Sequence, residues 1–159
     1  MNPYSTLRLL ELRAEALMPS DDVVPNFPKI DPAVKAIWTE ALRDPTRKQS
    51  DRALQTKEGA QCCLGVLCEL HAKRHDEVVI TKDGRSVYYD GETSLPNDKV
   101  LQWAGIDNTF RFRLAQVGVL AGTSSTTDQD LRMVYLFTYM NDSAHLSFGQ
   151  IADFIDKNL

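Results

Sequence analysis

The run Cys62-Cys63-Leu64-Gly65-Val66-Leu67-Cys68-Glu69-Leu70 constrains this chain more than any other segment. It is apolar almost all the way round a helical wheel, a pattern suited to a helix buried on every side. The helix is predicted to begin near Gly59 or Ala60, to run to about Arg74, and to form the centre of the core. Gly65 weakens it by about 1 kcal/mol relative to Ala, so another element is expected to approach closely there. At 159 residues the chain is the size of one domain built round that helix.

Other elements are read around it. Residues 4–17 read as an N-terminal helix with Leu7, Leu10, Ala14 and Leu17 in one stripe. Pro19, Pro25 and Pro28 then make a linker, so residues 1–30 form an extension and 31–159 the domain. Asp31 and Pro32 open a helix that ends before Asp44-Pro45, with Val34, Ile37, Trp38 and Ala41 inward. Val78–Ile80 and Ser86–Tyr89 flank Lys82-Asp83-Gly84-Arg85 as a hairpin. A short helix follows Leu95-Pro96 and stops at Gly105, burying Val100, Leu101 and Trp103.

Further along, Phe110, Phe112 and Leu114 alternate with Arg111, Arg113 and Ala115 as a strand that continues through Val117 and Val119. Residues 121–129 read as a loop. Asp130 is expected to cap a helix carrying Leu131, Val134, Tyr135 and Thr138, which ends at a left-handed Asn141. Ser147 and Gln150 make a capping box for a last helix that buries Ile151, Phe154 and Ile155. The expected class is α+β: a mostly helical single domain with a small β-hairpin or sheet and an N-terminal helical extension.

Composition narrows the setting. Hydrophobic residues make up 43% and charged residues 25%, which excludes a disordered or collagen-like chain. No apolar run reaches the roughly 18 to 20 residues of a bilayer span, so no membrane partner is expected. Met1-Asn2-Pro3-Tyr4 has neither a basic region nor an apolar one, and no secretory leader is expected. Three cysteines, two of them adjacent, make a poor disulfide framework and fit a reducing cytosol. A net charge of −4 disfavours general nucleic-acid binding. Phe148-Gly149-Gln150-Ile151-Ala152 resembles the start of a helix-turn-helix, but Asp153 and Asp156 carry the wrong sign for a phosphate backbone.

Four blocks occur together: Trp38-Thr39-Glu40-Ala41-Leu42; Cys62 to Cys68; Leu95-Pro96 with Val100 and Trp103-Ala104-Gly105; and Met140-Asn141-Asp142 with Phe148, Ile151, Ala152 and Ile155. Their order resembles a family of small proteins encoded by bacteriophages and prophages, over roughly residues 34–159. The Cys-Cys-Leu-Gly-Val-Leu-Cys block is the most specific part. The family's usual Gly-x-Tyr turn is replaced here by Asp44-Pro45-Thr46, and its glutamine and leucine stand as Gln49 and Leu54. The resemblance implies a setting, the cytoplasm of an infected or lysogenic bacterium, and supplies no mechanism.

Candidate sites are few. Arg47, Lys48, Arg52 and Lys57 lie in a polar segment leading toward a helix N-terminus, an arrangement that can hold an anion through guanidinium forks and free N–H groups. Arg111 and Arg113 are candidates for the same ligand. Without a Gly-rich phosphate loop, an ordinary NTPase or dehydrogenase is not expected. Asn141 and Asp142 form a second candidate, for a ligand or for a local Asx turn. Cys68, His71 and His75 share a helical face, but Cys68 and His75 stand about 10.5 Å apart along its axis, too far for one ion. Cys62 and Cys63 could gain thiolate character at a helix N-terminus, but between Leu64, Val66 and Leu67 they are expected, with Cys68, to be small apolar core residues. No catalytic residue, metal or cofactor is assigned.

The expected function is that of a non-enzymatic accessory protein in the host cytoplasm. It would bind a host protein or sequester a small anionic, nucleotide-like ligand in host takeover or counter-defence, with homo-oligomer formation enclosing the site. The alternatives are a small cysteine- or metal-dependent hydrolase and a minor virion component.

Overall fold

The structure, a computed structural model, describes residues 26–114 and 130–159. The helix read over residues 4–17, most of the linker after it, the strand continuation through Val117 and Val119, and the loop at 121–129 lie outside the described residues.

Helix α1, Pro32–Leu42, starts as its sequence requires: Asp31 accepts the Val34 N–H at 2.9 Å, and Pro32 takes the first helical position. It buries Val34, Trp38, Thr39 and Leu42, while Ile37 and Ala41 are half-buried. Thr39 tolerates burial because its hydroxyl donates to the Lys35 carbonyl at 2.9 Å.

Helix α2, Cys63–Ala72, begins later than Gly59 or Ala60. Gly59 has φ +90°, and the backbone groups of Gln61 are used by an extended segment beside it. Gln61 N–H donates to the Lys48 carbonyl at 2.9 Å, and Ser50 N–H donates to the Gln61 carbonyl at 2.8 Å. Cys62 becomes the N-cap, its sulfur accepting the Gly65 N–H at 3.4 Å. The expected close approach is present: a Cβ on Gly65 would stand 1.6 Å from the Leu54 carbonyl oxygen.

Strands β1, Ile80–Lys82, and β2, Val87–Tyr89, pair antiparallel with Ile80 opposite Tyr89 and Lys82 opposite Val87. The paired segment is thus displaced toward the turn from Val78–Ile80. Asp83 stabilises that turn by accepting N–H groups of Arg85 and Ser86 at 2.7 and 2.8 Å. Helix α3, Asp98–Ala104, is capped by Asn97 and stopped by left-handed Gly105, φ +70°. At Gly105 a Cβ would meet the Asp31 N at 2.7 Å, so glycine also admits the start of α1.

Strands β3, Arg111–Arg113, and β4, Asp130–Arg132, form a second antiparallel pair. Asp130 is therefore a strand residue opposite Arg113, not a helix cap. Phe112, opposite Leu131, turns inward and meets the Phe27 ring at 5.8 Å. Helix α4, Val134–Thr138, follows and widens into a π-helical turn, Tyr139–Ser143. Helix α5, Phe148–Asn158, carries the complete Ser147/Gln150 capping box and packs along α1.

The result is a single α+β domain. Trp38 is fully buried, lies 5.0 Å from the Phe137 ring at a tilt of 55°, and donates its indole N–H to the Cys63 carbonyl at 3.0 Å. Leu64, Leu67, Met133, Leu136, Met140, Ile151 and Ile155 complete this centre, each burial stabilising by about 1.5–3 kcal/mol before chain entropy is counted. Among the described residues, no helix is long and apolar enough to cross a membrane.

Candidate functional site

Two polar cavities border the segment Arg47–Asp51. The first, about 300 Å³, is lined by Arg47, Lys48, Gln55, Glu58, Gln61 and Glu69, among others. Asp44 fixes the turn before Arg47 by accepting the Thr46 N–H at 2.9 Å and hydroxyl at 2.7 Å. Arg47 then reaches inward: its Nη1 donates to Glu69 Oε2 at 2.6 Å and to Gln61 Oε1 at 2.9 Å. Gln61 Nε2 donates to the same Glu69 oxygen at 3.0 Å, and Lys73 Nζ meets the other at 2.9 Å. Tyr89 donates its hydroxyl to Gln55 at the back of this cluster.

Electrostatics follow from those bonds. Burial alone would raise the Glu69 pKa, but donors from Arg47, Lys73 and Gln61 outweigh it and hold the carboxyl at about 2. Burial, followed by the nearby Glu69 charge, pushes the Tyr89 phenol well up. Arg47 Nε is buried without a partner, an unfulfilled donor in a residue that lines the cavity.

Of the basic residues read from the sequence, Arg47 and Lys48 share this cavity. Arg52, Lys57, Arg111 and Arg113 do not line it. Arg52 and Lys57 are exposed, the latter with its N–H on the Arg85 carbonyl at 3.0 Å. Arg111 is exposed on β3, and Arg113 is half-buried opposite Asp130. Sequence reasoning missed Gln55, Gln61, Glu69 and Tyr89. One signal was present: Glu69 is the lone carboxylate in an otherwise apolar helix, where a half-buried charge requires partners.

The second cavity, about 340 Å³, is lined by Gln49, Ser50, Asp51, Asn141, His145 and Leu146. Asn141, 3% exposed, is saturated. Its Oδ1 accepts from Gln49 Nε2 at 3.0 Å and from the Cys63 N–H at 3.1 Å. Its Nδ2 donates to the Ser50 carbonyl and to Asp142 Oδ1, both at 2.8 Å. That is the full capacity of a carboxamide. Asn141 is not the left-handed residue expected at a helix end; it lies within the π-helical turn, and His145, φ +52°, takes the left-handed conformation. Through these bonds Asn141 ties the π-turn to α2 and to the 49–50 strand-like segment.

All three cysteines are buried and free of disulfides. Burial pushes the Cys62 thiol up to about 11, and pushes Cys63 and Cys68 well up too. Desolvation thus outweighs the helix N-terminus, and these are core residues. His71 is buried and stacks on His75 at 4.0 Å, with Trp103 edge-on at 5.2 Å. Burial, then the neighbouring His75, lowers the His71 pKa. Among the described residues, no three His, Cys, Asp or Glu side chains are grouped as metal ligands.

The geometry defines a small α+β domain whose polar cavities are walled by side-chain amides and charges. Residues 30–159 match the model of a family described as a domain of unknown function, DUF8296, and the chain belongs to that family. Neither a curated protein nor a solved structure matches the chain.

Proposed function

We propose that this is a non-enzymatic binding protein that sequesters a small anionic, nucleotide-like ligand, encoded by a phage or prophage and acting in the host cytoplasm. The observation that carries this reading is the pairing of Lys48 with Arg47 on one cavity, where the Arg47 Nε–H has no partner. Lys48 supplies exposed positive charge, and the Arg47 fork is fixed in place by Glu69 and Gln61. Glu58 and Glu69 on the same wall temper that charge, which favours a ligand bearing donor groups beside its anionic group. A binding role also suits thiols held protonated by burial, since a cysteine hydrolase needs an accessible thiolate. The setting rests on the resemblance of the Cys62–Cys68 and Asn141–Ile155 blocks to phage-encoded proteins.

Native mass spectrometry of protein purified gently from a bacterial host tests the reading. A nucleotide-sized adduct that disappears in Lys48→Glu supports it. A bare chain that also fails to take up added nucleotides overturns it.

A further inference from the structure

We propose that the cavity between Ser50 and His145 is a separate binding site, selective for a vicinal diol such as that of a pentose. At about 340 Å³ it lies at the small end of ligand sites and admits a single sugar ring. Its wall is rigid. Asn141 is saturated, and Gln49 spends its amide on Asn141 and the Leu146 carbonyl while accepting the Phe148 N–H at 3.1 Å. Recognition therefore falls to the Ser50 hydroxyl, the Asp51 carboxylate and the His145 imidazole.

Ser50 Oγ is buried without a hydrogen-bond partner. Rotation about its Cα–Cβ bond toward the cavity breaks no bond and moves between staggered wells. The backbone beside the cavity is strained: His145 and Arg52, φ +52° and +66°, are with Asp90 the non-glycine residues at positive φ among the described residues. Each costs about 1–2 kcal/mol. Such strain concentrates at ligand sites, as do π-helical turns like the one that carries Asn141 into the wall.

Chemistry selects the ligand. A serine hydroxyl both donates and accepts, and so does a ligand hydroxyl; an ammonium only donates and a phosphate only accepts. Asp51 can accept O–H bonds from two adjacent hydroxyls at once, and its charge repels a phosphate. His145 can serve as donor or acceptor at the exposed side.

Ligand-observed saturation-transfer NMR with ribose and 2-deoxyribose locked as their methyl β-furanosides tests this, because the locked 2-deoxy sugar has no two adjacent hydroxyls. The ribose furanoside should give transfer, and the 2-deoxy furanoside markedly less. In Asp51→Asn and Ser50→Ala the ribose affinity should fall about tenfold or more. Ser50→Ala should keep the parent's urea midpoint, because the deleted hydroxyl had no partner. Lys48→Glu should leave the ribose signal unchanged, which separates this site from the anion cavity. Absence of transfer from ribose overturns the proposal. So does equal transfer in parent and Asp51→Asn, or a loss confined to Lys48→Glu.

Discussion

Asn141 Oδ1 accepts the Cys63 backbone N–H at 3.1 Å, joining the π-helical turn to the first residue of α2 across 78 positions of sequence. The same oxygen holds Gln49, and the amide nitrogen holds the Ser50 carbonyl. One side chain thus fixes the extended segment, the central helix and the C-terminal half relative to one another.

Replacing Asn141 should be costly. Asn141→Ala leaves the Cys63 N–H and the Ser50 carbonyl without this partner, while the exposed Gln49 amide keeps the Leu146 carbonyl. At about 1–3 kcal/mol for each buried orphan, a loss of about 2 kcal/mol or more is expected from urea unfolding. Asn141→Asp keeps the acceptor but loses the donor and places a second carboxylate beside Asp142. Its defect should shrink as pH falls and protonation restores a donor. A midpoint within experimental error of the parent for Asn141→Ala would show that the network is dispensable.

Two helical glycines should respond oppositely to alanine. At Gly65 the added Cβ overlaps the Leu54 backbone oxygen at 1.6 Å, and backbone cannot swing aside. Gly65→Ala should therefore destabilise by several kcal/mol, well beyond the roughly 1 kcal/mol that helix propensity returns. At Gly149 the nearest atom is the Ser147 hydroxyl oxygen at 3.9 Å, an ordinary contact. Gly149→Ala should stabilise by up to about 1 kcal/mol. Thermal unfolding of both variants reads the difference in sign.

The Gly65 contact was legible because a glycine inside an apolar helix needs a local reason. Asp31-Pro32, Gly105 and the Ser147/Gln150 box were legible for another cause: the signal and its partner lie within four residues. The Asn141 network was not, since three of its four partners are 78 and more residues away. Nor was the true start of α2, because Gln61 is drawn out of the helix by Lys48 and Ser50, whose positions depend on the fold. The Arg47 cavity was half legible: basic residues stood out in the polar segment, whereas Gln55 and Gln61 carry no periodic signal.

Acid should weaken the protein in a window set by Glu69. Its carboxyl titrates at about 2 in the folded state, against an ordinary value of 4.5. The folded state therefore favours the ionised form. That contribution is complete above about pH 4.5 and is lost progressively as pH falls through 2. Glu69→Gln should be less stable than the parent at neutral pH and should show a flatter decline in this window. Urea midpoints measured from neutral pH to pH 2 for both proteins check it; parallel curves would mean that the Arg47–Glu69 pair contributes nothing to the acid limb.

The thiols provide the last test, because it separates core packing from chemistry. With Cys62 at about 11 and the other two pushed well above the ordinary thiol value, almost no thiolate exists at pH 8 in the folded protein. Burial also blocks the approach of a reagent. A disulfide reagent should leave all three thiols unmodified in native buffer and titrate all three in denaturant, with the native rate following the unfolding rate. Cys63→Ala removes a small volume and a weak sulfur hydrogen bond to the Phe137 carbonyl at 3.5 Å, so a loss of about 1 kcal/mol is expected. Ligand retention in native mass spectrometry should survive that change. A folded Cys63→Ala protein that loses its biological effect while keeping its ligand would instead return the cysteine to a chemical role.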